Sequence, residues 1–382
     1  MKTTSKILAG IVCIVAGAFA LYQGMHTSEP GANPIQTQDE AQRIVSRMSA
    51  EDKVGQLLMV GIRQPILDAD ASWQLSQFHL GNVILFDRNM ESPEQVKKLT
   101  GQIKQQIEKQ SGVAPFIALD QEGGQVLRMR NAFPAVPGEA AIGQGGNPES
   151  AEKWAVITGN TLQKMGITVN FAPVVDLGSQ AGRSYGSDPA VVTAYAQQAC
   201  NGYAQTQTWC SLKHFPGIGK VRTDPHVDGD SVRATADELM EQDMKPFANL
   251  IKTVPNDTMF IMVSNVTFPA LDDTVPACVS KPIMTDILRN QFHYEGLIVS
   301  DDMEMGAMAK HYAFADMGVM AIKAGADMVL VCHDYTHEQE TYNGLLKAYQ
   351  NDTEFRKLVD EKVLHIVRTK LMKWQDGAAG NN

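Results

Sequence analysis

The chain has 382 residues, 44% of them hydrophobic and 20% charged, with 31 glycines and a formal net charge of −10. This composition supports a sizeable core and excludes general disorder. The acidic balance, with no Lys/Arg cluster interleaved with aromatics, excludes a nucleic-acid partner. Length allows one large barrel or two ordinary domains, so the pattern of elements must decide.

At the N-terminus, Lys2 and Lys6 precede an apolar run from Ile7 to Leu21, and Ala18-Phe19-Ala20 closes it, the layout of a secretory signal. A run of about 15 residues is short for a membrane span, which takes roughly 20. Residues 1–22 are therefore expected to be a cleaved signal or an uncleaved anchor, with 7–21 as a possible membrane tether. Either way the protein is expected to be exported, in the periplasm or attached to the cell envelope. Cys13 lies inside the run with no convincing lipoprotein cleavage site before it. Residues 23–38 are rich in Pro, Gly, Ser, Thr and Asn without periodicity and read as a flexible tether.

From about residue 40, short β-branched runs alternate with longer segments of helical period, as in parallel strands joined by crossover helices. The predicted strands are Leu57–Ile62, Asn82–Phe86, Phe116–Leu119, Val169–Val175, Cys210–His214, Met259–Ser264, Leu297–Ser300 and Met328–Cys332. Between the second and third, Ser92 is placed to cap a helix, Pro93 to take its first position and Gln95 to complete a capping box. Val96, Leu99, Ile103 and Ile107 then form the stripe that packs on the sheet. Phe355–Trp374 reads as a closing helix. Eight strand–helix units predict a single-domain (β/α)8 TIM-like barrel over 39–375, followed by a disordered tail at 376–382. Five cysteines do not make a disulfide scaffold for a domain of this size. Cys200 and Cys210 could pair in an oxidising compartment or remain half-buried thiols.

Catalytic groups in such a barrel sit at the C-terminal ends of strands. There the third strand runs into Asp120-Gln121-Glu122-Gly123-Gly124, the fourth into Asp176 and later Arg183, the fifth into Lys213-His214 and the seventh into Asp301-Asp302. One strand-end Asp often just caps a helix; four strands ending in charge are not explained by capping alone. Glycosidic cleavage needs a carboxylate to meet the oxocarbenium-like centre and a second group to protonate the departing oxygen. Asp301 is the candidate nucleophile, and Asp302 reads as a helix N-cap or a supporting acceptor. The turn Lys213-His214-Phe215-Pro216-Gly217-Ile218-Gly219 leads to Asp224-Pro225-His226, where Asp224 can orient His226 as acid/base. The alternative is a loop Asp–His pair without chemistry.

Asp120, Arg128, Arg183, Lys213 and His214 are the candidate contacts to sugar hydroxyls and an acetamide, each of which a pocket must pair individually. Lys213 has a rival role as a Schiff-base lysine. No metal or other cofactor is expected, because no histidine set at His-x-His or His-x-x-x-His spacing with carboxylates is read. Asp301-Asp302-Met303-Glu304 is only a weak hint of a cation site.

The motifs, in order, are Met48-Ser49-Ala50-Glu51-Asp52-Lys53-Val54-Gly55-Gln56, Gly81–Phe86 with Arg88-Asn89, the run at Asp120, Asn170-Phe171-Ala172-Pro173 with Asp176, Arg183-Ser184-Tyr185-Gly186, the run at Lys213, and Ser300-Asp301-Asp302-Met303. Together, as far as Val331, they resemble glycoside hydrolase family 3, in its β-N-acetylglucosaminidase (β-hexosaminidase) branch of peptidoglycan turnover. The resemblance implies a retaining exo-enzyme that acts on a small carbohydrate such as a muropeptide or N-acetylglucosaminide. Asp301 matches the nucleophile, which forms a glycosyl-aspartate intermediate, and Asp224/His226 match the acid/base dyad. Asp120, Arg128, Arg183, Lys213 and His214 match the sugar-binding positions. It also accounts for the missing second domain, from which relatives often draw their acid. Three positions depart from the pattern: Ile218 stands where His is usual, Pro225 where Ser or Thr is common, and Asn265 where His often follows the sixth strand. A monomer is expected. The competing readings are a β-N-acetylglucosaminide phosphorylase, a glycosidase for another β-glycoside, and an inactive cell-wall-binding protein.

Overall fold

The computed structural model describes residues 34–130, 134–178, 182–221 and 231–379. All eight predicted strands form, and they close in chain order into one parallel barrel. They are β1 Leu58–Gly61, β2 Asn82–Ile84, β3 Ile117–Leu119, β4 Val169–Asn170, β5 Trp209–Phe215, β6 Met259–Val263, β7 Leu297–Asp302 and β8 Met328–Val331. Almost every strand residue is buried. Both faces of a parallel sheet are covered, which is why these strands read as continuous apolar runs rather than alternating ones. The predicted fourth strand, Val169–Val175, is cut to two ladder residues, with Val174 returning only for one bridge to Lys213. Pro173 has no N–H to donate and interrupts the ladder between them.

Helices α1 (Pro34–Val45) and α2 (Ala50–Gln56) precede the barrel. The crossovers are α3 (Ala69–Gln77), α4 (Pro93–Ser111), α5 (Glu149–Lys164), α6 (Pro189–Gln205), α7 (Lys245–Thr253), α8 (Pro282–Gln291) and α9 (Phe314–Ala324). Two more helices, α10 (Tyr335–Asn351) and α11 (Thr353–Ala379), complete the described chain. In α4 the predicted stripe is buried and the Ser92 side chain accepts from the Gln95 N–H. The capping box is not completed, because the Gln95 side chain accepts from the Glu91 N–H and donates to the carbonyls of Pro65 and Asn89.

Two predicted boundaries shift. Helix α1 begins at Pro34, inside the stretch read as tether, because Thr37, Ala41 and Val45 are buried and α1 packs against α11. At the other end the helical backbone runs through Ala379, into the stretch read as tail. Residues 7–21 lie outside the described residues, among which no helix is long and apolar enough to cross a membrane. Cys200 on α6 and Cys210 on β5 are free, fully buried thiols with 3.2 Å between their sulfurs.

The two ends of the barrel differ in chemistry. At the N-terminal end the Asn82 side chain donates to the Gln56 and Leu58 carbonyls. The buried Lys370 ammonium of α11 donates to Gln56 Oε1 and to the Gly81 carbonyl and lies over the Phe116 ring. These groups close the bottom. At the top, Arg88, just beyond β2, straps three strands: Nε donates to the Ile62 carbonyl after β1, and Nη2 to the Cys332 carbonyl after β8.

The strap depends on Gly61 at the end of β1, where an added Cβ would fall 1.8 Å from the Cys332 carbonyl oxygen and 2.7 Å from Arg88 Nη2. Neither atom can retreat without opening the β1–β8 seam. Gly61→Ala is expected to lower unfolding free energy by about 1–3 kcal/mol or more, as overpacking does. Chemical denaturation at neutral pH checks this, and an unchanged midpoint would contradict it.

Candidate active site

The C-terminal strand ends surround a cavity of about 340 Å³. Six sequence-predicted residues, Asp120, Arg128, Arg183, Lys213, His214 and Asp301, line it together. Asp224, Pro225 and His226 lie outside the described residues. The odd strands β3, β5 and β7 deliver Asp120, Lys213 and Asp301 respectively.

Lys213 organises one wall. Its side chain is only 2% exposed, and its ammonium lies 2.8 Å from Asp120 Oδ1 and 2.6 Å from Glu122 Oε1. Arg183 grips the same Glu122 carboxylate with two hydrogen bonds, Nε at 2.8 Å and Nη2 at 2.7 Å. Arg128 reaches Asp120 at 3.5 Å and Asp87 at 3.3 Å, and lies over the Phe86 ring. Charges therefore alternate along the wall from Arg128 through Asp120, Lys213 and Glu122 to Arg183. Burial pushes the Glu122 carboxyl up, but Lys213 and Arg183 outweigh it and bring it down to about 2. Asp120 is likewise raised by burial and lowered further by Lys213 and Arg128. Burial lowers Lys213 while the two carboxylates raise it, with a net upward shift. A lysine held this firmly as an ammonium is no Schiff-base nucleophile.

Sequence reasoning counts Glu122 and Asp176 as rim charges without assigning them a role, and both are central. Buried Asp176 accepts from the His214 backbone N–H, the Ile218 N–H at 2.8 Å and His214 Nδ1 at 2.8 Å. It thereby fixes the turn after β5 and aims the other imidazole nitrogen of His214 away from itself. The Ile218 backbone is held by Asp176 through its N–H, a bond that does not depend on the side chain at this departure from the family pattern. Asn265, the departure after β6, donates to the Asp302 carbonyl at 2.7 Å, and its own buried oxygen has no partner among the described residues.

Asp301 emerges at the end of β7 and accepts from the Asp302 N–H at 2.8 Å. Burial raises its pKa, offset in part by His214, by that hydrogen bond and by Lys213. Asp302 is not a helix N-cap: its carboxylate accepts from the Glu304 N–H at 3.1 Å and lies 3.2 Å from His333 Nε2. The acidic run is no cation site either. Glu304 accepts from the backbone N–H groups of Cys332, His333 and Asp334 and pairs with His337 at 2.6 Å. His333 and His337 do stand at His-x-x-x-His spacing, a pair the sequence reading passes over, but they serve different carboxylates. Among the described residues no group of three or more His, Cys, Asp or Glu is arranged to hold a metal ion. The Cys332 thiol also lines the cavity; burial and the carboxylates of Asp302, Glu304 and Asp120 raise its pKa well above the ordinary thiol value, which removes it as a nucleophile.

A barrel with one charged rim, closed at the other end, is shared by many enzymes, so family rests on direct comparison. Residues 49–369 match the family described as "Glycosyl hydrolase family 3 N terminal domain". The chain belongs to glycosyl hydrolase family 3. It is therefore a glycoside hydrolase. The beta-hexosaminidase of Nitrosomonas eutropha is 32% identical over 299 residues, covering 75% of this chain and 84% of the relative. Beta-hexosaminidase A of Pseudoalteromonas piscicida is 31% identical over 287 residues, 69% of this chain, and the match spans only 48% of that longer protein. The structure of a family 3 beta-N-acetylglucosaminidase from Paenibacillus sp. aligns with a TM-score of 0.81 at 32% identity, over 86% of this chain and 63% of that one.

The raised pKa of Asp301 carries a stability cost. Its folded state holds the proton more tightly than the unfolded chain does. The cost is absent below the ordinary carboxyl range, grows as pH rises toward the folded-state pKa and is complete above it. Asp301→Asn is therefore expected to melt at a higher temperature than the parent at pH 7, with the gap closing toward pH 3. Calorimetry across that range checks both points, and a lower melting temperature at pH 7 would contradict the assignment.

Proposed function

We propose that the chain is a retaining exo-β-N-acetylglucosaminidase that hydrolyses terminal β-linked N-acetylglucosamine from peptidoglycan fragments or amino-sugar oligosaccharides. The observation that carries this reading is Asp301 lining the same cavity as the paired chain from Arg128 to Arg183. Fixed cations and carboxylates can pair the hydroxyls of one sugar ring, while Asp301 meets its anomeric carbon. The names carried by the relatives support the acetamido sugar.

In the first step an Asp301 oxygen bonds to the anomeric carbon as the bond to the leaving oxygen breaks, and His226, oriented by Asp224, protonates that oxygen. In the second step His226 takes a proton from water, which attacks the anomeric carbon and frees Asp301. Asp120, Arg128, Arg183, Lys213 and His214 hold hydroxyl and acetamide groups throughout. The proposed setting is the cell envelope, reached through the apolar N-terminal run, with soluble muropeptide-like fragments as substrates.

Release from chromogenic N-acetylglucosaminide and glucoside, with and without phosphate, tests the substrate and the acceptor. Indifference to the acetamido group would refute the substrate, and a sugar phosphate as the main product would make the enzyme a phosphorylase. Binding of muropeptides with no turnover at all would favour the inactive binding protein. Asp301→Ala is expected to abolish turnover, and a fluorinated N-acetylglucosamine analogue should trap a covalent adduct mapping to Asp301. His226→Ala should cost about 10²–10⁴-fold on poorly activated substrates and less where the leaving group needs little protonation. Equal losses on both classes would leave His226 a structural role only.

A further inference from the structure

Beside Asp301 stands an Asp–His pair to which no role has been given. His333, just beyond β8, lines the cavity with a side chain 49% exposed, and its Nε2 lies 3.2 Å from Asp302 Oδ2. Its other nitrogen, Nδ1, lies 3.0 Å from Arg88 Nη1. A guanidinium only donates, so Nδ1 must accept through its lone pair. The ring hydrogen then resides on Nε2 and is donated to the Asp302 carboxylate. Arg88 thus selects the tautomer that Asp302 requires.

Arg88 has little freedom to do otherwise. It is held by the carbonyls of Ile62 and Cys332 and lies 4.6 Å over the Phe86 ring, on which His333 also packs with centroids 5.0 Å apart. Asp302 is anchored at three further points: its other carboxylate oxygen takes the Glu304 N–H, its carbonyl takes the Asn265 amide, and its own N–H is the donor that Asp301 accepts. The direction of that last bond sets where the Asp301 carboxylate points. Both ring nitrogens of His333 are occupied, so it has no proton to exchange with a substrate.

We propose that His333 is a positioning residue, which fixes Asp302 and thereby the N–H that aims the Asp301 carboxylate. The inference rests on Asp301 being the nucleophile. Without the imidazole, the Asp302 side chain keeps the Glu304 N–H and the neighbouring Cys332 thiol, and the end of β7 gains freedom where the reacting atom must be placed most closely. Misplacement of a reacting group by about 1 Å can cost 10²-fold.

The test compares kcat and KM of the full chain on a chromogenic N-acetylglucosaminide for the parent, H333A, H333Q, D302A and the double variant H333A/D302A, with a melting curve for each. H333A is expected to lower kcat about 10- to 100-fold with KM little changed, the scale of such a misplacement. H333Q, which offers both a donor and an acceptor, should recover most of that loss. The double variant should be no slower than D302A alone, since two residues acting through one contact are not additive. If H333A does not fold, H333M, which fills the volume of the ring without a hydrogen-bonding group comparable to imidazole, takes its place.

A raised KM with unchanged kcat would overturn the proposal in favour of a sugar contact, and losses that multiply in the double variant would show that His333 does not act through Asp302. A parent that turns over its substrate while H333A matches it overturns this inference alone. A parent inactive on every N-acetylglucosaminide overturns the functional reading and this inference with it.

Discussion

A lysine ammonium with only 2% of its side chain exposed is the constraint on which the upper half of the barrel depends. Removing such a charge from water costs several kcal/mol unless partners replace the lost hydration. Lys213 finds two carboxylates, Asp120 and Glu122, both from the segment just beyond β3. Two buried carboxylates around one ammonium leave an excess negative charge, and Arg183 and Arg128 then compensate from further along the wall. Arg128 also pairs with Asp87, so three cations meet three carboxylates and the wall is balanced where it shares the cavity with Asp301. The polar lining of the cavity and the electrostatic neutralisation of Lys213 are thus one structure. Deleting Glu122 or Asp120 would leave the buried Lys213 ammonium short of a partner.

This arrangement divides the molecule by chemistry. The strands contribute apolar interior residues, and the N-terminal end is closed by hydrogen bonds around Asn82 and the buried Lys370 side chain. At the C-terminal end Asp301 has an upward-shifted pKa, and the buried Asn265 oxygen has no partner among the described residues. A rigid barrel tolerates such local costs because its closed sheet and surrounding helices supply the net stability.

Carboxylate–imidazole pairs recur throughout this chain: Asp52 with His79, Asp176 with His214, Asp302 with His333, and Glu304 with His337. Most of them are scaffolding. Asp176 and His214 secure the turn after β5, and Glu304 and His337 tie the segment after β7 to the start of α10. An Asp near a His in sequence is therefore weak evidence of acid/base chemistry here, and for Asp224 and His226, which lie outside the described residues, the proposal rests on the family resemblance. The same recurrence gives the pair at His333 its meaning, because there the scaffold bond ends on the residue next to Asp301.

Much of the architecture was legible in the sequence. A fully covered parallel strand must be apolar on both faces and its crossover helix apolar on one, so all eight strands and the α4 stripe could be read from composition and period. Charges that interrupt such runs at strand ends stand out against them, which is why Asp120, Lys213, His214 and Asp301 were found. The capping partner of Gln95, the start of α1 at Pro34 and the short β4 were not legible, because each depends on a neighbour distant in sequence or on a single missing donor. The roles of Glu122, Asp176 and His333 were decided only by the closed barrel. Their partners lie 91, 38 and 31 residues away in sequence, as Lys213, His214 and Asp302, and hydrogen-bond chemistry is set by distances that only closure creates.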